Sequence, residues 1–163
     1  MSINHEITSK TILITGTSRG IGKHLASVYL DMGYKVIGVS RSHTEINNPN
    51  FQSIQLDISD LTQIPTLKNI LSSHELVGLI NNSGIHGPIG ALESTSMDQW
   101  IETFNVNLFG HTLLTQICIP SLRANKGFII FMSGGGSAFP RPNFSAYSVS
   151  KTGIVRLSEI LAE

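Results

Sequence analysis

Five short apolar runs recur along the chain, and the segments between them change period, which narrows the possible folds more than any other feature. The runs are Thr11-Ile12-Leu13-Ile14-Thr15, Val36-Ile37-Gly38-Val39, Phe51 to Leu56, Leu76-Val77-Gly78-Leu79-Ile80 and Phe128-Ile129-Ile130-Phe131-Met132. Most read as strands buried on both faces, as parallel strands are. Between the first two, Ile21, Leu25, Val28, Tyr29 and Met32 fall on one helical face, and Gly33 follows as a stop signal. Ile64, Leu67, Ile70 and Leu71 suggest a shorter helix, and Ser96-Met97-Asp98-Gln99 has the capping-box spacing that opens a long helical region toward Leu122. Asn47-Asn48-Pro49-Asn50 and Phe139-Pro140-Arg141-Pro142 read as loops. Strand and helix alternate, so the expected fold class is α/β: right-handed strand-helix-strand units in a doubly wound parallel sheet between two helical layers, with ligands outside the C-terminal strand ends.

At 163 residues the chain is expected to form one domain, residues 1–163. The final helical segment, Tyr147 to Glu163, stops without a Gly, Asn or Pro, as though more sequence should follow. Hydrophobic residues make up 40% and charged residues only 13%, which excludes disorder driven by low hydrophobicity. Lys+Arg and Asp+Glu both total 11, so there is no basic block to attract nucleic acid or an anionic membrane, and neither partner is expected. No apolar run approaches the ~18 residues that cross a bilayer. Cys118 is the single cysteine and cannot form an internal disulfide, which suits a reducing cytoplasm.

After the first strand comes Thr15-Gly16-Thr17-Ser18-Arg19-Gly20-Ile21-Gly22. Glycines where a strand turns into a helix let backbone N–H groups approach a pyrophosphate, and the positive end of the helix dipole stabilises its charge. An ordinary glycine-rich turn would show the same spacing, but strand, turn and amphipathic helix occur in the order that phosphate binding requires. Further on, Tyr147-Ser148-Val149-Ser150-Lys151 puts a phenol and an ammonium on one helical face. A phenol must lose about 3 pKa units, or ~4 kcal/mol, to exchange protons readily at neutral pH. An ammonium at ~4 Å with an effective dielectric of ~20 contributes about that much, so the pair can supply a general acid.

Gly16-xxx-Gly20-x-Gly22, Asn81-Asn82-Ser83-Gly84, Asn105-Val106-Asn107-Leu108 and Tyr147-xxx-Lys151 occur in one order, and together they resemble the short-chain dehydrogenase/reductase family from Lys10 to Glu163. The resemblance implies a Rossmann-like sheet of about five strands in order 3-2-1-4-5, lacking the family's last strands. It implies hydride transfer between nicotinamide and a small-molecule carbonyl or alcohol substrate. Tyr147 would give or take the proton, Lys151 would hydrogen-bond the nicotinamide ribose and depress the Tyr147 pKa, and Asn107 would hold a helix kink and a relay water. Gly16, Thr17, Ser18, Arg19, Gly20, Ile21 and Gly22 would form the cofactor loop, and Asn81 and Gly84 would flank the adenosine-ribose side. Asp57 would meet the adenine, unless it only caps a loop.

NAD sites usually place an acid after the second strand to bind the ribose 2′-hydroxyl. Here that strand ends Val39-Ser40-Arg41, and Arg41 with Arg19 could face a 2′-phosphate, so NADP(H) is favoured over NAD(H) unless both arginines are merely solvated. The family's catalytic serine usually stands thirteen positions before the tyrosine, where this chain has Gly134. A one-residue shift would present Ser133, or failing it Ser137, to the substrate oxygen. The family continues past this helix into further strands; without them Phe128 to Met132 is an apolar, unpaired edge, and a homo-oligomer is expected.

Other residues draw plainer expectations. Cys118 reads as a small core residue. His86 and His111 could border the substrate site, but scattered histidines more often belong to loops and surface. Arg141 could meet an anionic substrate or only solvent. The competing reading is a catalytically silent or truncated nucleotide-binding protein that binds NADP(H) weakly or not at all. Another Rossmann-type enzyme such as a methyltransferase would leave Tyr147, Lys151 and Asn107 idle.

Overall fold

The computed structural model describes residues 9–163. Its strands β1 (Lys10–Thr15), β2 (Lys35–Ser40), β3 (Phe51–Gln55), β4 (Glu75–Asn81) and β5 (Phe128–Phe131) form one all-parallel sheet in the order β3-β2-β1-β4-β5. The helices are α1 (Gly20–Asp31), α2 (Leu67–Leu71), α3 (Met97–Phe104), α4 (Gly110–Ala124) and α5 (Ser145–Ala162). The sheet is the parallel α/β arrangement that the alternation of periods implies, in the Rossmann-like strand order that the family resemblance implies.

Side chains alternate across the central strand and divide the core in two. Ile12 and Ile14 of β1 pack with Ala26 and Leu30 of α1, while Leu13 joins Leu67 and Leu71 of α2 and Leu114, Cys118 and Leu122 of α4 on the other face. All three β1 side chains are fully buried, worth about 1.5–3 kcal/mol each. Cys118 is buried among them as a core residue, and burial pushes its thiol up to about 12. Among the described residues no helix is long and apolar enough to cross a membrane.

Four local expectations are corrected. First, the buried face of α1 is Gly22, Ala26 and Leu30, whereas Ile21, Val28 and Met32 are exposed. The small residues win because the helix lies close to the glycine loop: a Cβ on Gly22 would collide with the Gly16 carbonyl. The stop at Gly33 does hold: Gly33, at φ +87°, donates to the Leu30 carbonyl and Tyr34 N–H to that of Tyr29, with the two tyrosine rings edge to face.

Second, no helix separates β2 from β3; residues 41–50 cross between these parallel neighbours as loop. Third, the Ser96 side chain makes no cap bond; its carbonyl instead receives Trp100 N–H, and the hydroxyl near the helix start that finds a partner is Thr95, which accepts the indole N–H of Trp100. Fourth, the long helical region is interrupted by a π-helical turn at Asn105–Phe109, where Gly110 N–H reaches back five residues to the Asn105 carbonyl. A Cβ on Gly110 would strike the Ile58 carbonyl, so the bulge rests directly on the loop after β3.

Candidate active site

The C-terminal ends of β1, β2 and β4 open onto a cleft of about 620 Å³. Gly16, Ser18, Arg19, Gly20, Ile21, Arg41, Asp57 and Gly84 line it, together with Ser40, Ser42, His43, Asn82 and Ser83, which motif reasoning passed over. Gly16 takes φ +77°, and its N–H donates to the Val39 carbonyl, turning the chain from β1 across the end of β2. The twelve-residue α1 then begins with no side-chain cap at Arg19 and no acid in its first turn, so its first N–H groups are free to receive an anion.

Five expected cofactor residues do not line the cleft: Tyr147 and Lys151 stand beyond it on α5, and the other three are turned inward. Thr17 is fully buried beneath the loop and bonds Thr44, and Gly22 is packed against the loop's own backbone. Asn81 is buried with its amide donating to Thr115, because the last residue of a central strand points into the layer of α4; its neighbour Asn82 faces the cleft instead. Asp57 lines the cleft, and its Oδ1 accepts from Ser59 N–H and Oγ–H as a loop cap.

Thr15 joins β1 to the turn after β4. Its Oγ1 accepts the N–H groups of Asn82 and Ser83 at 2.9 and 3.0 Å, so its single proton is directed to His111 Nε2 at 3.3 Å. His111 is therefore neutral, with Nε2 as acceptor. Burial, then the Lys151 charge, lowers its pKa to about 3, and a hydrogen bond with the Asn107 backbone opposes the shift. The surface reading of His111 is thus corrected: the residue is a buried brace beneath the site. No spacing signal marks it, because its partner lies 96 residues away.

Asn107 sits inside the π-turn, fully buried. Its Nδ2 donates to the Ile85 carbonyl at 2.9 Å and to Ser150 Oγ at 3.0 Å, and its Oδ1 accepts Ile85 N–H at 2.9 Å. One amide thus pins the turn after Gly84 to α5, the helix that carries Tyr147 and Lys151. Lys151 is only 4% exposed; its Nζ donates to the Met132 carbonyl at 2.7 Å, and burial lowers its pKa to about 8. A Cβ on Gly84 would stand 3.4 Å from Lys151 Nζ and 3.5 Å from Asn107 Oδ1, so the glycine keeps the space before the amine open.

Tyr147 lies one turn before Lys151, with the His86 ring 5.2 Å from its own and Phe144 beyond. His86 therefore lies beside Tyr147. Arg141 is not merely solvated, since its guanidinium lies 3.6 Å above the Phe144 ring. Ser133 is exposed, and its Oγ is 2.6 Å from Ser137 Oγ, which itself donates to the Gly134 carbonyl. With the Ser137 proton so committed, the Ser133 proton points at Ser137 rather than into the site.

A glycine loop at an uncapped helix start, two cleft arginines and, next to Gly84 at the cleft's end, Lys151 on the helix that carries Tyr147 make up the site. The model of the family described as short chain dehydrogenase matches residues 10–163. The chain belongs to the short-chain dehydrogenase family. It is 33% identical over 156 residues to an uncharacterized oxidoreductase of Schizosaccharomyces pombe, covering 91% of this chain and 63% of that protein. Against the benzil reductase ((S)-benzoin forming) of Saccharomyces cerevisiae the figures are 32% over 162 residues, 89% and 62%. The crystal structure of a short-chain dehydrogenase from Streptomyces avermitilis superposes with a TM-score of 0.88 at 28% identity, covering 96% of this chain and 61% of that one. The chain spans between 38% and 63% of the length of the curated relatives it matches. Members of this family bind NAD(P), and the cleft fits such a cofactor: open backbone donors for a pyrophosphate, and space before Lys151 that a side chain at Gly84 would fill.

Proposed function

We propose that the chain supplies the cofactor-binding and catalytic part of an NADP(H)-dependent oxidoreductase acting on a small carbonyl or alcohol substrate. The observation that carries this reading is the convergence at Gly84, where the dinucleotide cleft ends against Lys151 Nζ, while two residues on the His86 ring packs at a tilt against Tyr147. Nicotinamide, when bound, supplies or accepts the hydride. Tyr147 Oη gives its proton to the carbonyl oxygen in reduction and takes it back in alcohol oxidation. Lys151 keeps two further N–H donors beyond the one spent on Met132, enough to hold a ribose hydroxyl and to favour the phenolate after proton transfer. Reduction is the direction supported by the benzil reductase relative.

NADP(H) is favoured by charge. Arg19 and Arg41 both line the cleft, and neither is in an ion pair; among the described residues the single pair is Arg156–Glu159. The end of β2 offers Ser40, Arg41, Ser42 and no carboxylate, and one Asp57 oxygen is engaged by Ser59. A 2′-phosphate is therefore matched by free guanidinium donors. Self-association and a reducing, cytoplasmic setting belong to the same reading, supported by Phe128 and Ile130 exposed on the sheet-edge strand β5 and by the buried free thiol of Cys118.

Titration of the protein with NADPH and NADH, followed by cofactor fluorescence, tests this. Preferential NADPH binding, with turnover of a ketone that Tyr147→Phe abolishes while cofactor affinity is kept, is the expected result. Full activity of Tyr147→Phe removes the tyrosine from the chemistry, and NADPH binding without turnover of any carbonyl selects the silent nucleotide-binding reading.

A further inference from the structure

Ten residues, 41–50, carry the chain from β2 to β3 without a helix. Parallel crossovers ordinarily need about a dozen residues or more and a helix to hold them. Arg41 opens this bare crossover, so something other than a helix must fix where its guanidinium starts from.

What fixes it is a ladder of hydroxyl groups. Thr17 Oγ1 lies 2.9 Å from Thr44 Oγ1, Thr44 Oγ1 lies 3.1 Å from Ser40 Oγ, and Ser40 Oγ donates to the Ser42 carbonyl at 2.7 Å. Each hydroxyl owns one proton, so the last bond directs the others. Ser40, having given its proton to Ser42, accepts from Thr44; Thr44, having given its own to Ser40, accepts from Thr17. In addition the Thr44 N–H donates to Ser53 Oγ on β3 at 3.0 Å. Thr17, Thr44 and Ser40 are 0%, 1% and 6% exposed, so water does not readily replace a missing rung. Thr44 is the node: it touches the glycine loop through Thr17, the end of β2 through Ser40, and β3 through Ser53.

We propose that Thr44 is a positioning residue for discrimination between NADP(H) and NAD(H). It locks the Arg41–Ser42 backbone to the glycine loop, so that a ribose 2′-phosphate meets a site already ordered rather than one that must pay to order a helix-less loop. The inference rests on the NADP(H) reading above. Thr44→Val keeps the shape but leaves the Thr17 proton without an acceptor and Ser40 without a donor. The loop loosens at Arg41, while the backbone donors at the start of α1 are untouched.

The test is calorimetric titration of the full chain with 2′,5′-ADP and with 5′-AMP, probes that differ only in the 2′-phosphate. Thr44→Val is expected to lose about tenfold in affinity for 2′,5′-ADP, the size of one or two lost hydrogen bonds, with 5′-AMP affinity unchanged. Thr44→Ser, which keeps the hydroxyl, restores the wild-type preference. Ser40→Ala cuts the next rung and shifts the preference in the same direction, which keeps the question answerable should Thr44→Val fail to fold. Equal loss for both probes, or no loss, overturns the role of Thr44. A wild-type chain that binds 5′-AMP as well as 2′,5′-ADP overturns the NADP(H) reading itself.

Discussion

The Tyr147 hydroxyl occupies the volume that any side chain at position 134 would need, so Gly134 and Tyr147 are in direct steric competition. Gly134 is extended, with φ −167° and ψ 167°, a conformation open to every residue. The glycine is therefore required by the phenol and not by the backbone. Gly134→Ala is expected to displace Tyr147, lowering kcat at least tenfold and costing roughly 1–3 kcal/mol of stability, while NADPH affinity holds. Gly134→Ser, although it introduces the hydroxyl usual in the family, is expected to fare no better. Steady-state kinetics with a fluorescence binding isotherm distinguish the two effects.

The Ser133–Ser137 pair decides which hydroxyl can assist at the substrate oxygen. Ser133→Ala is expected to lower kcat by ~10²-fold, the usual size for losing such a donor, if bound substrate turns the Ser133 proton from Ser137 to its own oxygen. Ser137→Ala only releases Ser133 from its acceptor and is expected to leave kcat nearly unchanged. The reverse pattern in kcat would assign the donor to Ser137.

Asn107 satisfies both backbone groups of Ile85 and one hydroxyl of α5 from inside the core. Asn107→Ala leaves these groups buried and unpaired, at a cost of about 2–4 kcal/mol. The midpoint of denaturant unfolding should fall accordingly. Cofactor affinity should fall as well, because the turn after Gly84 loses its anchor.

His111 sets an acid limit on stability. Its folded pKa, about 3, lies below the ordinary 6.5, so below pH 6.5 the unfolded chain binds a proton that the folded chain refuses. The stabilisation is complete above pH 6.5 and is lost as pH falls toward 3, amounting to ~5 kcal/mol over the whole window. Urea unfolding at pH 7, 5.5 and 4.5 should show this slope. In His111→Gln, which has nothing to titrate there, the slope should flatten.

Much of the fold was legible from local pattern. Ile12-Leu13-Ile14 cannot be solvated and reads as a buried strand, Gly33 stops α1, and Gly16 to Gly22 marks a strand-to-helix turn, because each signal is carried by neighbours in the chain. The same local logic misread the face of α1. Hydrophobicity favoured Ile21, Val28 and Met32, but the helix start sits so close to Gly16 that only glycine fits at position 22, and the buried face runs through Gly22, Ala26 and Leu30. It also placed Asn81 in the cleft, where the pleat turns it inward and presents Asn82.

The sequence by itself therefore determined the parallel α/β sheet, the family and the segments that meet at the cleft, since periodicity, glycine placement and motif order are properties of adjacent residues. Tertiary structure alone decided which polar groups pair: Thr15 with His111, Asn107 with Ile85 and Ser150, Thr44 with Thr17 and Ser40. A hydroxyl or an amide has no preferred partner until the fold excludes water from around it, and then every buried donor must find whichever acceptor the packing has brought within 3 Å or so.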